Sequence, residues 1–394
     1  VEQSRRARIR VCHVITRLDV GGAAENTLRS VCGLDPERFE VSLIYGRTDN
    51  PLEAWIRRAK DRGVRLIPIP EMVREIRPLA DLKVFSRLYR LIGQLQPDLI
   101  HTHSSKAGIL GRWAAKLKGV RAIVHTPHGH VFYGYYGALL SRLFRTAEKL
   151  TAKFTDRIVA LTHLEVEQHL EERVGRRQQF AVIHSGVDVE KFAGARGDRD
   201  ALRERFRVPP GAVCIGSAGR LAAVKNYELL LDTLGMLEAR RPGGYHVVIL
   251  GEGAQRGLLY HKAMELGVQD RFYLPGWFEA IEGLYPAFDL FVLCSKNEGM
   301  GRVLVEAMAA GVPVIGTAVG GVPELLGEGD CGLVIPPNDP QALAEAIERL
   351  AQSSELREAL IQKGRQRARD YTADSMIEKL VGLYEELMDA KTIG

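Results

Sequence analysis

Ser295-Lys296-Asn297-Glu298-Gly299-Met300-Gly301-Arg302-Val303-Leu304-Val305-Glu306-Ala307-Met308-Ala309-Ala310-Gly311-Val312-Pro313-Val314-Ile315 sets two carboxylates, with seven residues between them, around a glycine turn. Before it, Asp289 and the apolar run 290–293 read as a short buried strand. From 303 to 309 apolar residues recur at helical spacing, and Gly311 and Pro313 then stop the helix. Strand, turn and helix follow in order, so Glu298 stands at a strand mouth. The first helical N–H groups lack intrahelical acceptors, and together with the helix dipole they favour an anion in the same space. Glu306, further into the helix, is placed to reach a polyol. A carboxylate for sugar hydroxyls, amides for a phosphate and a carboxylate for a ribose describe a nucleotide-sugar pocket. Taken alone, the segment also fits an ordinary first-turn acid at Glu298 and an exposed acid at Glu306.

Outward from this segment the chain repeats one rhythm. Strand-like runs at 9–15, 41–45, 64–68, 99–101, 122–125, 157–161 and 180–183 alternate with helical segments. They are uniformly apolar rather than alternating, as parallel strands buried on both faces are. A second series follows at 213–217, 246–250, 272–274, 290–293, 314–316 and 332–335. The fold class expected is α/β, with two doubly wound parallel-sheet, Rossmann-like domains facing across a cleft lined by strand C-termini. The polar stretch around 193–200 reads as a linker. The domains are expected at 1–185 and 186–371, with a terminal helix at 372–394 returning to the first. That helix carries an apolar stripe at Met376, Leu380, Leu383 and Leu387.

Composition narrows the class. The chain has 394 residues, 46% hydrophobic and 26% charged, so it is globular and long enough for two domains. No apolar run reaches the ~18 residues that span a bilayer, and residues 1–8 lack the apolar core of a signal peptide. The five cysteines are odd in number and widely spaced, as reduced core thiols in a cytoplasm are. The net charge of +5 divides unevenly: residues 1–185 carry +12 and the rest −7. A basic first half suits an anionic partner such as a phospholipid surface or lipid-linked phosphate, unless the arginines only solvate helix faces. Nucleic acid is disfavoured because the excess is spread out.

Further residues converge on the same strand ends. Arg220 and Lys225 follow the first strand of the second series, five residues apart. Arg220 offers a planar fork and Lys225 a point charge, and together they can bracket a diphosphate. Gly21 and Gly22 open a helix after the first strand, but the third glycine of the dinucleotide fingerprint is missing, which removes a dinucleotide oxidoreductase. Five histidines cluster after two neighbouring strands: His101, His103, His125, His128 and His130. Nearby acids for a hydrolytic metal centre are absent, so the expectation is no metal, with one histidine touching sugar or acceptor and the others satisfying loop carbonyls. The aromatic loop at 131–137 suits a carbohydrate or lipid acceptor.

With these residues assembled, the chain resembles the retaining glycosyltransferases of family 4, which have the GT-B fold, and bacterial members especially. The resemblance covers nearly the whole length and is carried by the E-x7-E pair Glu298 and Glu306, the run 306–315, the Arg220 and Lys225 pair and the N-terminal glycine turn. It implies that Arg220 and Lys225 hold the donor diphosphate with help from the Gly22 amide. Glu298 and the amides of Met300 and Gly301, beside Gly299, would hold sugar hydroxyls. The Val303 amide would take a phosphate oxygen, Glu306 the ribose, and His128 would be the active-site histidine of the first domain. Met300 stands where the family usually has an aromatic or small residue, a departure that bears on which sugar fits.

The resemblance implies a retaining hexosyltransferase using a UDP- or GDP-sugar without cofactor or metal. A glycan or lipid-linked acceptor of the cell envelope is expected, with the protein cytoplasmic and peripheral at the inner membrane face. The alternatives carried are a GT-B nucleotide-sugar epimerase and a non-catalytic nucleotide-sugar-binding protein.

Overall fold

The structure is a computed structural model that describes residues 8–129 and 138–391. His130 and the aromatic loop at 131–137 lie outside the described residues. Two compact units emerge: Val1–Gly186 with Ala373–Gly394, and Val187–Thr372.

The first unit holds β1 (Ile9–Ile15), β2 (Phe39–Gly46), β3 (Arg65–Ile69), β4 (Leu99–His103), β5 (Ala122–Thr126), β6 (Arg157–Ala160) and β7 (Phe180–Val182). All pair in parallel, in the order β3-β2-β1-β4-β5-β6-β7. Every residue of β4 and β5 is buried, because helices cover both faces. Alternation along β1 sends Val11 and Ile15 to one apolar cluster and Cys12 and Val14 to the other. The first cluster is completed by the terminal helix Ala373–Ala390, which buries Met376, Leu380, Leu383, Tyr384, Leu387 and Met388. Asn26 anchors the region, donating to Ser185 Oγ at 2.7 Å.

The second unit repeats the plan with β8 (Val213–Ala218), β9 (Tyr245–Leu250), β10 (Phe272–Gly276), β11 (Leu290–Leu293), β12 (Val314–Thr317) and β13 (Leu333–Ile335), in the order β10-β9-β8-β11-β12-β13. Each expected strand is present, several of them a residue or two longer at their C-terminal ends. In both sheets the order reverses once, between β1 and β4 and between β8 and β11. Helices leave such a pair on opposite faces and open a crevice at the strand C-termini.

The polar stretch at 193–200 differs from a free linker. It lies between short helices, Val189–Ala193 and Arg199–Arg205, capped by Asp188 and Asp198. Phe192 is buried, and Arg199 and Arg203 both pair with Asp289. Turn-forming composition here reports two N-caps, not slack chain. All five cysteines are buried free thiols, and burial pushes Cys12, Cys214 and Cys294 up to about 12.

Truncating Leu380 on the terminal helix to Ala removes a fully packed side chain from the first unit. We expect it to lose ~2–5 kcal/mol, read as a lower urea midpoint for that unit's transition.

Candidate active site

The second unit builds its site at the β8/β11 reversal. After β8 the chain turns through Gly219 and Arg220 into a single 3-10 turn, Ala223–Lys225, and then the helix Tyr227–Arg240. This turn is fastened to the end of β11: the Lys296 amide donates to Val224 O at 2.8 Å and Cys294 Sγ reaches Lys225 O at 3.3 Å. Side chains continue the fastening. Lys225 Nζ donates to Glu298 Oε2 at 2.7 Å, and Ser295 Oγ donates to the same oxygen at 2.9 Å. Lys225 and Glu298 are 20% and 16% exposed, dry enough for a strong pair and open enough to meet a ligand. Arg220 is exposed.

Gly299, Met300 and Gly301 lead into the helix Arg302–Ala309. Gly301 caps it at φ 87°, a left-handed conformation that favours glycine, while the Met300 side chain is buried. Val303 lies in the first helical turn and is half-buried. Glu306, one turn further on, is buried. It accepts from the Tyr285 hydroxyl at 3.0 Å, and its other oxygen lies 4.0 Å from Arg302 Nη2. Burial, then the Glu306 charge, hold the Tyr285 phenol well above its usual range. Above the turn the 318–321 loop presses close: the Gly321 amide donates to Gly299 O at 3.1 Å, and a Cβ on Gly320 would overlap the Glu298 carbonyl oxygen.

In the first unit Gly22 opens the helix Gly22–Gly33 just beyond β1. Nothing among the described residues stands within 4 Å of where its Cβ would be, so a ligand has a clear approach to the helix N-terminus. His128 follows β5 in a left-handed conformation, φ 59°, which histidine enters more readily than most bulky residues. The turn is held by Glu165, which accepts from the Gly129 amide at 3.0 Å and the Leu161 amide at 2.6 Å.

Behind His128 the histidines do something other than satisfy loop carbonyls. His103 Nδ1 lies 2.9 Å from His128 Nε2, and His103 Nε2 lies 2.9 Å from Nδ1 of His13, a β1 residue that reads in the sequence only as part of a strand. Tyr384 of the terminal helix touches His101 Nδ1 at 2.6 Å and His13 Nε2 at 3.3 Å, and His101 Nε2 reaches Thr126 Oγ1 at 2.7 Å. His125 Nδ1 does meet a carbonyl, but that of Thr102 within β4, at 3.1 Å. Nitrogens of His13, His101 and His103 lie within 4.8 Å of one another. The His103 ring stacks on those of His13 and His101, with 4.3 Å between the His101 and His103 centroids; His13 and His103 hydrogen-bond each other, while His101 bonds Tyr384 and Thr126. Burial lowers His13 to about 3 and holds His101, His103 and His125 well below the usual imidazole range.

The family description Glycosyltransferase Family 4 matches residues 20–191, and Glycosyl transferases group 1 matches residues 198–367. The UDP-Gal:alpha-D-GlcNAc-diphosphoundecaprenol alpha-1,3-galactosyltransferase of Escherichia coli is 30% identical over 350 residues, 88% of this chain and 89% of that one. The chain belongs to glycosyltransferase family 4.

A second relative of this family 4 enzyme, the D-inositol 3-phosphate glycosyltransferase of Corynebacterium urealyticum, is 30% identical over 371 residues, 87% of this chain and 86% of that one. Among solved structures, Anabaena HepE in complex with UDP-glucose superposes with a TM-score of 0.80 at 20% identity, covering 96% of this chain and 100% of that one. The fold is GT-B and the chain is a glycosyltransferase. Nothing found supports the epimerase alternative.

Two outcomes follow for the family 4 enzyme. Gly320→Ala forces the 318–321 loop off Glu298 and should cost ~1–3 kcal/mol, whereas Gly257→Ala, in open helical space, should gain up to ~1 kcal/mol. Thermal unfolding compares them. The buried neutral histidines also make stability depend on acidity. Their folded pKa values lie below the unfolded value near 6.5, so the stability is present above pH 6.5. It erodes as pH falls, toward about 3 for His13, by up to ~1.4 kcal/mol per pH unit per histidine. Denaturation midpoints between pH 7.5 and 5 measure it, and His13→Phe should flatten the slope.

Proposed function

We propose that this enzyme is a retaining, metal-independent hexosyltransferase that draws its sugar from a nucleoside diphosphate, UDP in preference to GDP. The observation that carries the reading is the Lys225–Glu298 pair, 2.7 Å apart, at the crevice where strand order reverses. Between them they offer a cation for a diphosphate and a carboxylate for sugar hydroxyls at adjoining atoms. The UDP in the name of the E. coli relative and in the Anabaena complex favours that nucleotide.

In this reading the second unit is the donor domain. Arg220 and Lys225 hold the diphosphate. Glu298, with the Met300 and Gly301 amides beside Gly299, holds the sugar. The Val303 amide takes a phosphate oxygen, and Glu306 the ribose. As the nucleoside diphosphate leaves, negative charge grows on its phosphate and positive charge on the sugar ring. Cations already fixed at Arg220 and Lys225 stabilise that state more than the ground state. The acceptor hydroxyl approaches on the face the phosphate leaves, the phosphate takes its proton, and the anomeric configuration is kept. The first unit is the acceptor domain, with His128 contacting the acceptor.

The acceptor is a glycan or lipid-linked molecule reached from the cytoplasmic face of an anionic membrane. Support comes from the helix Pro78–Leu95, where Leu79 and Leu82 are 82% and 66% exposed beside Ile76, Arg74, Arg77, Lys83 and Arg90. Exposed apolar side chains with cations near them in the chain, Arg77 among them paired with Glu75, suit a headgroup layer. Among the described residues no helix is long and apolar enough to cross a membrane.

Arg220→Ala should lower kcat for transfer or donor hydrolysis ~10²-fold, in buffer containing EDTA, where the parent enzyme keeps its rate. Near-normal turnover by Arg220→Ala, or loss of the parent rate to the chelator, contradicts the reading. Binding to phosphatidylglycerol vesicles should fall with salt and fall further in Leu79→Glu/Leu82→Glu. Equal binding to neutral vesicles would remove the membrane from the account.

A further inference from the structure

We propose that His128 is held in one tautomer by a directional hydrogen-bond chain, Thr126–His101–Tyr384–His13–His103–His128, and that Tyr384 is the positioning residue that sets the direction of the chain. The chain draws on β1, β4, the end of β5 and the terminal helix, and its inner members are fully buried.

The geometry fixes the direction. A neutral imidazole has one N–H and one lone pair, so each ring in an unbroken chain must donate on one side and accept on the other. Two directions are therefore open, and Tyr384 decides between them. Its oxygen lies 2.6 Å from His101 Nδ1 but 3.3 Å from His13 Nε2. A phenol is a stronger acid than a neutral imidazole, so the short contact is the phenol O–H donating to His101. The long contact is the His13 N–H resting on a phenol oxygen, a poorer acceptor.

From that choice the rest follows. His101 accepts at Nδ1 and donates from Nε2 to Thr126 Oγ1. His13 carries its proton on Nε2 and accepts at Nδ1, so His103 donates from Nε2. His103 Nδ1 is then an acceptor, and His128 donates to it from Nε2. All four rings are the Nε2–H tautomer, which leaves Nδ1 of His128 as the hydrogen-bond acceptor. Charging one ring of the interior would break the alternation, and the burial of His13, His101 and His103, which disfavours the imidazolium, keeps the chain neutral. The left-handed turn anchored by Glu165 fixes where the last ring sits, and the chain fixes which nitrogen holds its proton.

The kinetic consequence rests on the reading of His128 as the active-site histidine; the tautomers do not. Long-range 1H–15N spectra of protein labelled at histidine, with His13→Gln, His101→Gln, His103→Gln and His128→Gln for assignment, should give the Nε2–H pattern for all four rings. Tyr384→Phe keeps the ring in the core and removes the phenol, so His103 and His128 should become tautomer mixtures. In that variant kcat should fall about tenfold while the donor KM stays within about twofold. Leu383→Ala, on the same helix but outside the chain, should lose stability yet keep the parent tautomers and kcat.

An Nδ1–H pattern at His13 or His103 in the parent protein overturns the chain, and that spectrum decides even if Tyr384→Phe does not fold. So does stoichiometric zinc ligated by His13, His101 and His103. Parent tautomers in Tyr384→Phe, or equal kcat losses in Tyr384→Phe and Leu383→Ala, overturn the role of Tyr384. A correct tautomer pattern with no kinetic effect in His128→Gln would instead set aside the reading of His128 and leave the chain standing.

Discussion

The contact between Lys225 Nζ and Glu298 Oε2 ties together the two turns that leave the second sheet at its reversal. Each turn alone is short and irregular, and their residues come 73 apart in the chain. What makes them one site is the adjacency of β8 and β11, which brings both C-terminal ends to the same edge. Backbone bonds between Lys296 and Val224, and the hydroxyl of Ser295 on Glu298, then remove the freedom that remains. Two turns held this way are positioned before any ligand arrives, which the proposed electrostatic stabilisation of a charged transition state requires. The Gly320 loop pressing on the Glu298 carbonyl belongs to the same constraint.

The first sheet uses its own reversal differently. At β1/β4 it buries imidazoles where the second sheet displays an ion pair. Strand alternation puts His13, His101 and His103 on the face that the terminal helix covers, and Tyr384 closes the gap between them. Four polar rings in an apolar layer are tolerated because each finds a partner, and unpartnered groups there would be costly. The terminal helix is thus more than an apolar cover, since it supplies a hydroxyl that the strands lack.

Strands and their parallel pairing were legible because both-face burial writes uniform apolar runs, as in 213–217 and 290–293. Glu298, Lys225 and Arg220 stood out because charged residues next to strand ends have few structural reasons to be there. The direct Lys225–Glu298 pairing was not legible, since it depends on which strands are neighbours. His13 was hidden by its setting inside an apolar strand, and Tyr384 by its place beside an apolar stripe. A polar residue at a buried strand position was the available signal for both His13 and His101. Glu165 and Tyr285 gave less away: their roles rest on backbone amides and on a carboxylate distant in sequence, which no local pattern encodes.

The account turns on whether the β8/β11 crevice is a diphosphate site built from side-chain cations. Calorimetric titration of UDP and GDP into the protein and into Arg220→Ala and Lys225→Met, all in EDTA, tests this directly. The account predicts that one nucleotide binds the parent without metal and binds each variant at least tenfold more weakly, a loss of ~1.4 kcal/mol or more. Equal affinity in parent and variants, or binding to the parent only after a divalent metal is restored, would contradict it.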